Sequence, residues 1–123
     1  MLGRSMLILV AGPYRSGTGD DPARIAANMA AMNEAALELF RIGHLGVTGE
    51  AQALPLIETA GSRGMGDRVW DEIFHPVGER LAHACDGCLR IGGASTGADA
   101  MTAIFETAGR PVWRSLADVP RPG

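Results

Sequence analysis

A chain of 123 residues and 12.9 kDa, 46% hydrophobic and formally −3 at neutral pH, has room for one packed core. Its net charge is too small for a disordered acidic polymer. All 11 basic residues are arginine, so a Schiff-base or phosphate-loop lysine is excluded, and their scattered placement gives no basic stripe for nucleic acid. The longest apolar stretch, Met6–Ala11, is far short of the roughly 20 residues that cross a bilayer. With only Arg4 before it, that stretch also lacks the flanks of a signal peptide, and a cytoplasmic protein with no membrane partner is expected.

Taken in chain order, Met6–Ala11 reads as a strand buried on both faces. It runs into the loop Gly12–Gly19. Asp21 followed by Pro22 is a helix start, a capping carboxylate before a proline at the first helical position. Ile25, Met29, Met32, Ala36, Leu39 and Phe40 recur at helical spacing, and Gly43 ends that helix. His44–Gly49 is a second strand at the distance of a βαβ connection. Residues 50–66 carry Pro55 and the run Gly61-Ser62-Arg63-Gly64-Met65-Gly66, and are expected to be irregular and mobile, as in a lid. The stripe Val69, Trp70, Ile73, Phe74, Val77, Leu81, Ala84 marks a second helix from Asp67. Cys88–Gly92 is a third strand, Thr96–Ala108 a third helix closed by Gly109, and Pro111–Trp113 opens a fourth strand. This alternation predicts one domain, residues 1–123. It is expected to be a small three-layer α/β fold of Rossmann-like, flavodoxin-like kind, with a parallel sheet of four to five strands.

In such a sheet, ligands bind beyond the carboxyl ends of the strands. Three loops meet there by construction: Gly12–Gly19, Gly49–Gly66 and Gly92–Gly97. The third runs from a strand end into a helix start, where free backbone N–H groups and the helix dipole favour an anion. Ser95 and Thr96 add hydroxyls, and Arg15 on the first loop can hold phosphate bidentately. A phosphorylated small molecule is the expected ligand class. Neither a Walker loop nor a dinucleotide fingerprint is present, because no Gly-Lys-Ser/Thr follows and the glycines sit after the wrong strand.

Cys85 and Cys88 form a lone CxxC with His83 nearby. The first lies at a helix C-terminus, where the dipole disfavours a thiolate, and zinc needs four ligands. No metal and no cofactor is therefore expected. His75 and His83 fall on the polar side of their helix and His44 opens a strand, without a nucleophile at readable spacing for a Ser–His triad.

Val10-Ala11-Gly12-Pro13-Tyr14-Arg15 resembles the opening of the nucleoside 2-deoxyribosyltransferase-like superfamily, which includes deoxynucleoside 5′-monophosphate N-glycosidases. Asn33-Glu34-Ala35-Ala36 through Gly43-His44, Asp67-Arg68-Val69-Trp70, and Gly92 through Gly109-Arg110-Pro111-Val112 are similar to further segments of it, so the resemblance covers nearly the whole chain. It implies cleavage of an N-glycosidic bond by a glutamate nucleophile with an assisting aspartate, in subunits that associate as dimers or larger and complete one another's pockets. Paired carboxyls suit that reaction, because an oxocarbenium-like centre must be attacked while its leaving group is protonated. The resemblance places Arg15 and Ser95 on phosphate and Gly97 in the binding loop. The implied nucleotide-binding set is Gly12, Pro13, Tyr14, Arg15, Gly93, Ser95, Thr96, Gly97, Ala98 and Met101.

The sequence departs from that pattern at the catalytic positions. Met101 stands where the nucleophilic glutamate belongs, Gly78 where the helix aspartate belongs, and Leu9 in place of a first-strand tyrosine. The substitute carboxyls are Asp99, beside the anion loop, and Glu50, which follows the second strand at the same sheet edge. Glu79 adjoins Gly78 but points about 100° away around the helix. Gly92-Gly93-x-Ser95-Thr96-x-x-Asp99 is also similar to the loop of the cytokinin-activating phosphoribohydrolases, which would give Asp99 the acid's place. The expected function is therefore a nucleoside- or nucleotide-binding protein of the deoxyribosyltransferase or N-glycosidase type. The alternatives are a non-catalytic nucleotide sensor or regulatory subunit, and a phosphoribohydrolase.

Overall fold

A computed structural model describes residues 3–123. Four strands, β1 (Leu7–Ala11), β2 (Leu45–Val47), β3 (Gly87–Arg90) and β4 (Val112–Trp113), pair in the order β2-β1-β3-β4. Every pairing is parallel. Four helices accompany them: α1 (Pro22–Arg41), α2 (Gly49–Thr59), α3 (Arg68–Ala84) and α4 (Thr96–Thr107). The three-layer α/β architecture of Rossmann-like type read from the sequence is the one present, with four strands.

The alternation of side chains along β1 builds the layers. Leu9 and Ala11 point to one face and pack with Cys88 of β3, Ala82 of α3, and Ala98 and Phe105 of α4. Ile8 and Val10 point to the other and pack with Leu89, Met32 and Leu39 of α1, and Val119 of the C-terminal segment. Both faces of β1 are therefore covered, which is why its sequence is continuously apolar rather than alternating.

The Asp21-Pro22 start of α1 is as read, with the Asp21 carboxylate accepting from Ala23 N–H at 3.1 Å. Other boundaries differ for local reasons. The second strand is shorter than residues 44–49, because the side chains at its two ends serve elsewhere. His44 is buried, accepting from Met6 N–H at Nδ1 (3.0 Å) and donating from Nε2 to Pro120 C=O (2.6 Å). Thr48 caps α2 by accepting from Ala51 N–H at 3.1 Å. The third strand stops at Arg90, since Gly92 turns the chain at φ +77°. Trp113 is half-buried, its ring lying over Gly87.

The largest correction concerns residues 50–66. Eleven of the residues from Gly49 onward form α2, with Ala53 and Ile57 buried against Trp70 of α3. Pro55 sits inside this helix, whose tertiary contacts outweigh the lost backbone bond. The glycines that suggested a mobile lid all follow the helix, and Asp67 ties that turn down. Its carboxylate accepts from Trp70 N–H (2.8 Å), Arg63 N–H (2.8 Å) and the Ser62 hydroxyl (2.9 Å), which together hold it below the usual carboxylate range.

Gly92 joins the fold to the site loop. A Cβ there would stand 2.7 Å from Pro13 Cδ, in a backbone conformation that side chains rarely adopt. Gly92→Ala should therefore lower unfolding stability by about 2 kcal/mol in urea titration. An unchanged midpoint would show that the close Gly92–Pro13 approach is not required.

Candidate functional site

The strand order reverses between β1 and β3: the chain leaves β1 toward β2 on one side and later adds β3 on the other. The loops after β1 and β3 must therefore part, and a cavity of about 680 Å³ opens where they do. Its floor is Leu9, Val10, Ala11 and Gly12. The two loops nevertheless touch at their base, since a Cβ on Gly12 would lie 3.0 Å from Ile91 Cγ1.

One wall is aromatic. Trp70 and Phe74, one turn apart on α3, stack with ring centroids 4.8 Å apart and planes at 19°. Tyr14, from the β1 loop, completes the cluster at 6.3 Å from Trp70 and 5.8 Å from Phe74. Asn28 Nδ2 donates to the Tyr14 carbonyl at 2.9 Å, so α1 fixes the backbone that carries the ring. His75 meets the edge of Phe74 at 5.4 Å and also lines the cavity, so it is not confined to a solvated helix face.

The start of α4 supplies another part of the lining. Ser95 is buried, accepts from Ala98 N–H at 3.2 Å, and is joined by the Ser16 hydroxyl at 3.1 Å. Ser95, Gly97 and Ala98 line the cavity, where the helix's free N–H groups give partial positive charge. Arg15 stands at the rim, held by Asp20 through Nε at 3.1 Å and Nη2 at 3.0 Å.

Glu50 enters from the first turn of α2, half-buried at the cavity's edge. Burial pushes its carboxyl above the usual range, against the opposing pull of its own backbone N–H. Burial also raises the Tyr14 hydroxyl, and the Glu50 charge raises it further. Asp20 and Asp71 are the other carboxylates of the lining, both exposed.

The residues read from the sequence divide cleanly. Gly12, Tyr14, Arg15, Glu50, Ser95, Gly97, Ala98 and Met101 all line the cavity. Pro13, Gly93, Thr96 and Asp99 do not. Pro13 packs on Gly92. Gly93 belongs to a separate polar hollow of about 350 Å³ with Arg90 and Arg114. Asp99 is turned to the surface, 65% exposed, where its Oδ1 accepts from Arg90 Nη2 at 3.1 Å and Nε at 3.2 Å. Asp99 is thus the partner of a strand arginine, away from the cavity.

The two positions where the resemblance calls for acids lie side by side. A Cβ on Gly78 would be 3.3 Å from Met101 Sδ, and both residues line the cavity. The thioether occupies space beside a glycine instead of a carboxyl pair. Cys85 and Cys88 are buried away from the site, and burial pushes both thiols up to about 11. Among the described residues no three His, Cys, Asp or Glu side chains gather as metal ligands, and no helix is long and apolar enough to cross a membrane.

Trp70, Phe74, His75, Asp71, Ser16 and Asp20 were not singled out as site residues from the sequence. The Trp70–Phe74 spacing carried the signal, but a helical apolar stripe reads first as core. The chain matches no protein-family model, and no curated protein matches it either.

The raised Glu50 carboxyl has a stability consequence. The folded protein holds this proton to higher pH than the unfolded chain does, so stability from this group falls as pH rises above the ordinary carboxyl range. Glu50→Gln should therefore raise Tm at neutral pH relative to the native chain, with the difference shrinking as pH falls toward that range. Thermal melts across pH check this, and a difference that grows on acidification would contradict it.

Proposed function

We propose that the cavity binds a nucleoside or nucleoside 5′-monophosphate, and that the protein is of the N-glycosidase or deoxyribosyltransferase type, with Glu50 as its acting carboxyl. The observation that carries this reading is the presence of an aromatic cluster and a helix N-terminus on the lining of one 680 Å³ cavity at the strand-order reversal. Tyr14, Trp70 and Phe74 offer a surface for a planar base. Ser95 and the α4 amides offer donors to sugar hydroxyls or phosphate oxygens. A cavity of this size encloses a ligand of nucleoside dimensions.

Cleavage of the N-glycosidic bond needs a proton for the departing base and an acceptor at the anomeric carbon. Burial favours the protonated Glu50 carboxyl, which suits the first task. It gives its proton to the base nitrogen as the bond breaks, water adds to the anomeric carbon, and the proton that water releases restores the acid. The phosphoribohydrolase reading has less support, because its acid would be Asp99, which lies off the cavity.

Gly78 and Met101 favour a second reading, binding without turnover. With neither carboxyl present at those positions, a nucleotide sensor keeps the same wall and helix N-terminus.

A panel of ribo- and deoxyribonucleosides and their 5′-monophosphates separates the two. At least one should raise Tm, because a ligand of the folded state alone shifts the melting equilibrium. Chromatography should then show free base released by the native chain and not by Glu50→Gln. Stabilisation with no release leaves the sensor reading, and Met101→Glu combined with Gly78→Asp should then gain base release. No stabilisation by any member contradicts both.

A further inference from the structure

Arg15 reaches the rim of the cavity with its guanidinium already engaged. Its Nε and Nη2 donate to the two oxygens of Asp20 at 3.1 and 3.0 Å, the fork-to-fork geometry that a phosphate would otherwise take. Both side chains line the cavity and both are open to water, at 37% and 53% exposure, so the pair can exchange partners. We propose that Asp20 is a specificity-determining residue that occupies the phosphate-binding face of Arg15, so that the cavity favours an unphosphorylated nucleoside over its 5′-monophosphate.

The inference rests on the nucleotide reading of the cavity and adds which form of the ligand it takes. A phosphate group that takes the Nε and Nη2 edge of Arg15 must displace Asp20 and then lie beside the freed carboxylate. Asp71 on the same lining adds a further negative charge whose field reaches Arg15. A nucleoside without phosphate leaves the pair intact and uses only the aromatic wall and the α4 amides.

The loop that presents Asp20 does not need the carboxylate for its shape. Thr18, buried at 3% exposure, organises it: Thr18 N–H donates to Arg15 C=O at 3.1 Å, and Asp20 N–H donates to Thr18 Oγ1 at 3.1 Å. Asp21 N–H closes the next turn on Thr18 C=O at 3.1 Å. Asp20 itself adopts φ +59°, the one positive φ at a non-glycine among the described residues. Asparagine and glycine both accept that conformation, so Asp20→Asn and Asp20→Gly remove the charge and preserve the loop. An exposed ion pair is weak, which makes it a gate that ligand chemistry can bias rather than a lock.

Calorimetric titration with thymidine and deoxyadenosine, each beside its own 5′-monophosphate, tests the gate, with inorganic phosphate as a third probe. Asp20→Asn and Asp20→Gly should each shift the monophosphate-to-nucleoside affinity ratio toward the monophosphate by roughly two- to fivefold, the scale one exposed ion pair can hold. Adding Arg15→Gln should cancel that gain, and phosphate alone should bind Asp20→Asn more tightly than the native chain. If nucleosides bind and the ratio does not move, the gate is overturned while the nucleotide reading stands. An equal loss of both ligands also overturns it, because Asp20 would then be shaping the site. If no nucleoside or monophosphate binds the native chain or either variant, the nucleotide reading falls and the gate with it.

Discussion

Parallel pairing of β1 with β2 on one side and β3 on the other is the constraint from which the site follows. A parallel neighbour can be reached only by a crossover, so each strand's outgoing loop must climb to one face or the other. At β1 and β3 the two loops climb apart, and the gap between them is the cavity. The close contacts at its base, Gly12 on Ile91 and Gly92 on Pro13, show how little room the loops have before they diverge. Side chains from those loops and from the first turns of α2 and α4, Arg15, Glu50 and Ala98 among them, line that gap.

What converges is unbalanced in charge. The lining carries one arginine against Asp20, Glu50 and Asp71, and the chain has no lysine to redress it. Each carboxyl meets the imbalance differently: Asp20 is neutralised by Arg15, Glu50 is driven toward its protonated form by burial, and Asp71 lies open to water. The aromatic cluster of Tyr14, Trp70 and Phe74 lies beside them on the same lining, and the Tyr14 hydroxyl feels the Glu50 charge.

Those elements whose signals are local were legible in the sequence. The continuous apolar run of β1 announced a doubly covered parallel strand, Asp21-Pro22 announced α1, and Ser95-Thr96 after the third strand announced the start of α4. Elements decided by tertiary contacts were misread. The local marks of α2, its Thr48 cap and Glu50 in its first turn, were outweighed by Pro55 and the glycines that follow, while Ala53 and Ile57 packing on Trp70 hold the helix in place. Asp99 is one position past a cavity-lining residue, yet the turn of α4 directs it to Arg90 instead. Phe74 and His75 looked like core and surface, respectively, and the cavity claims both because α3 passes its edge.

The central claim is that the Tyr14–Trp70–Phe74 wall receives a planar base, and Trp70 itself can report on it. Only one other tryptophan is present, Trp113 of β4, which lies outside the cavity lining, so a Trp113→Phe variant isolates the emission of Trp70. Titration of that variant with nucleosides should give a saturable change in Trp70 emission, and ribose or inorganic phosphate alone should not. Emission indifferent to every nucleoside and nucleoside monophosphate would contradict the account.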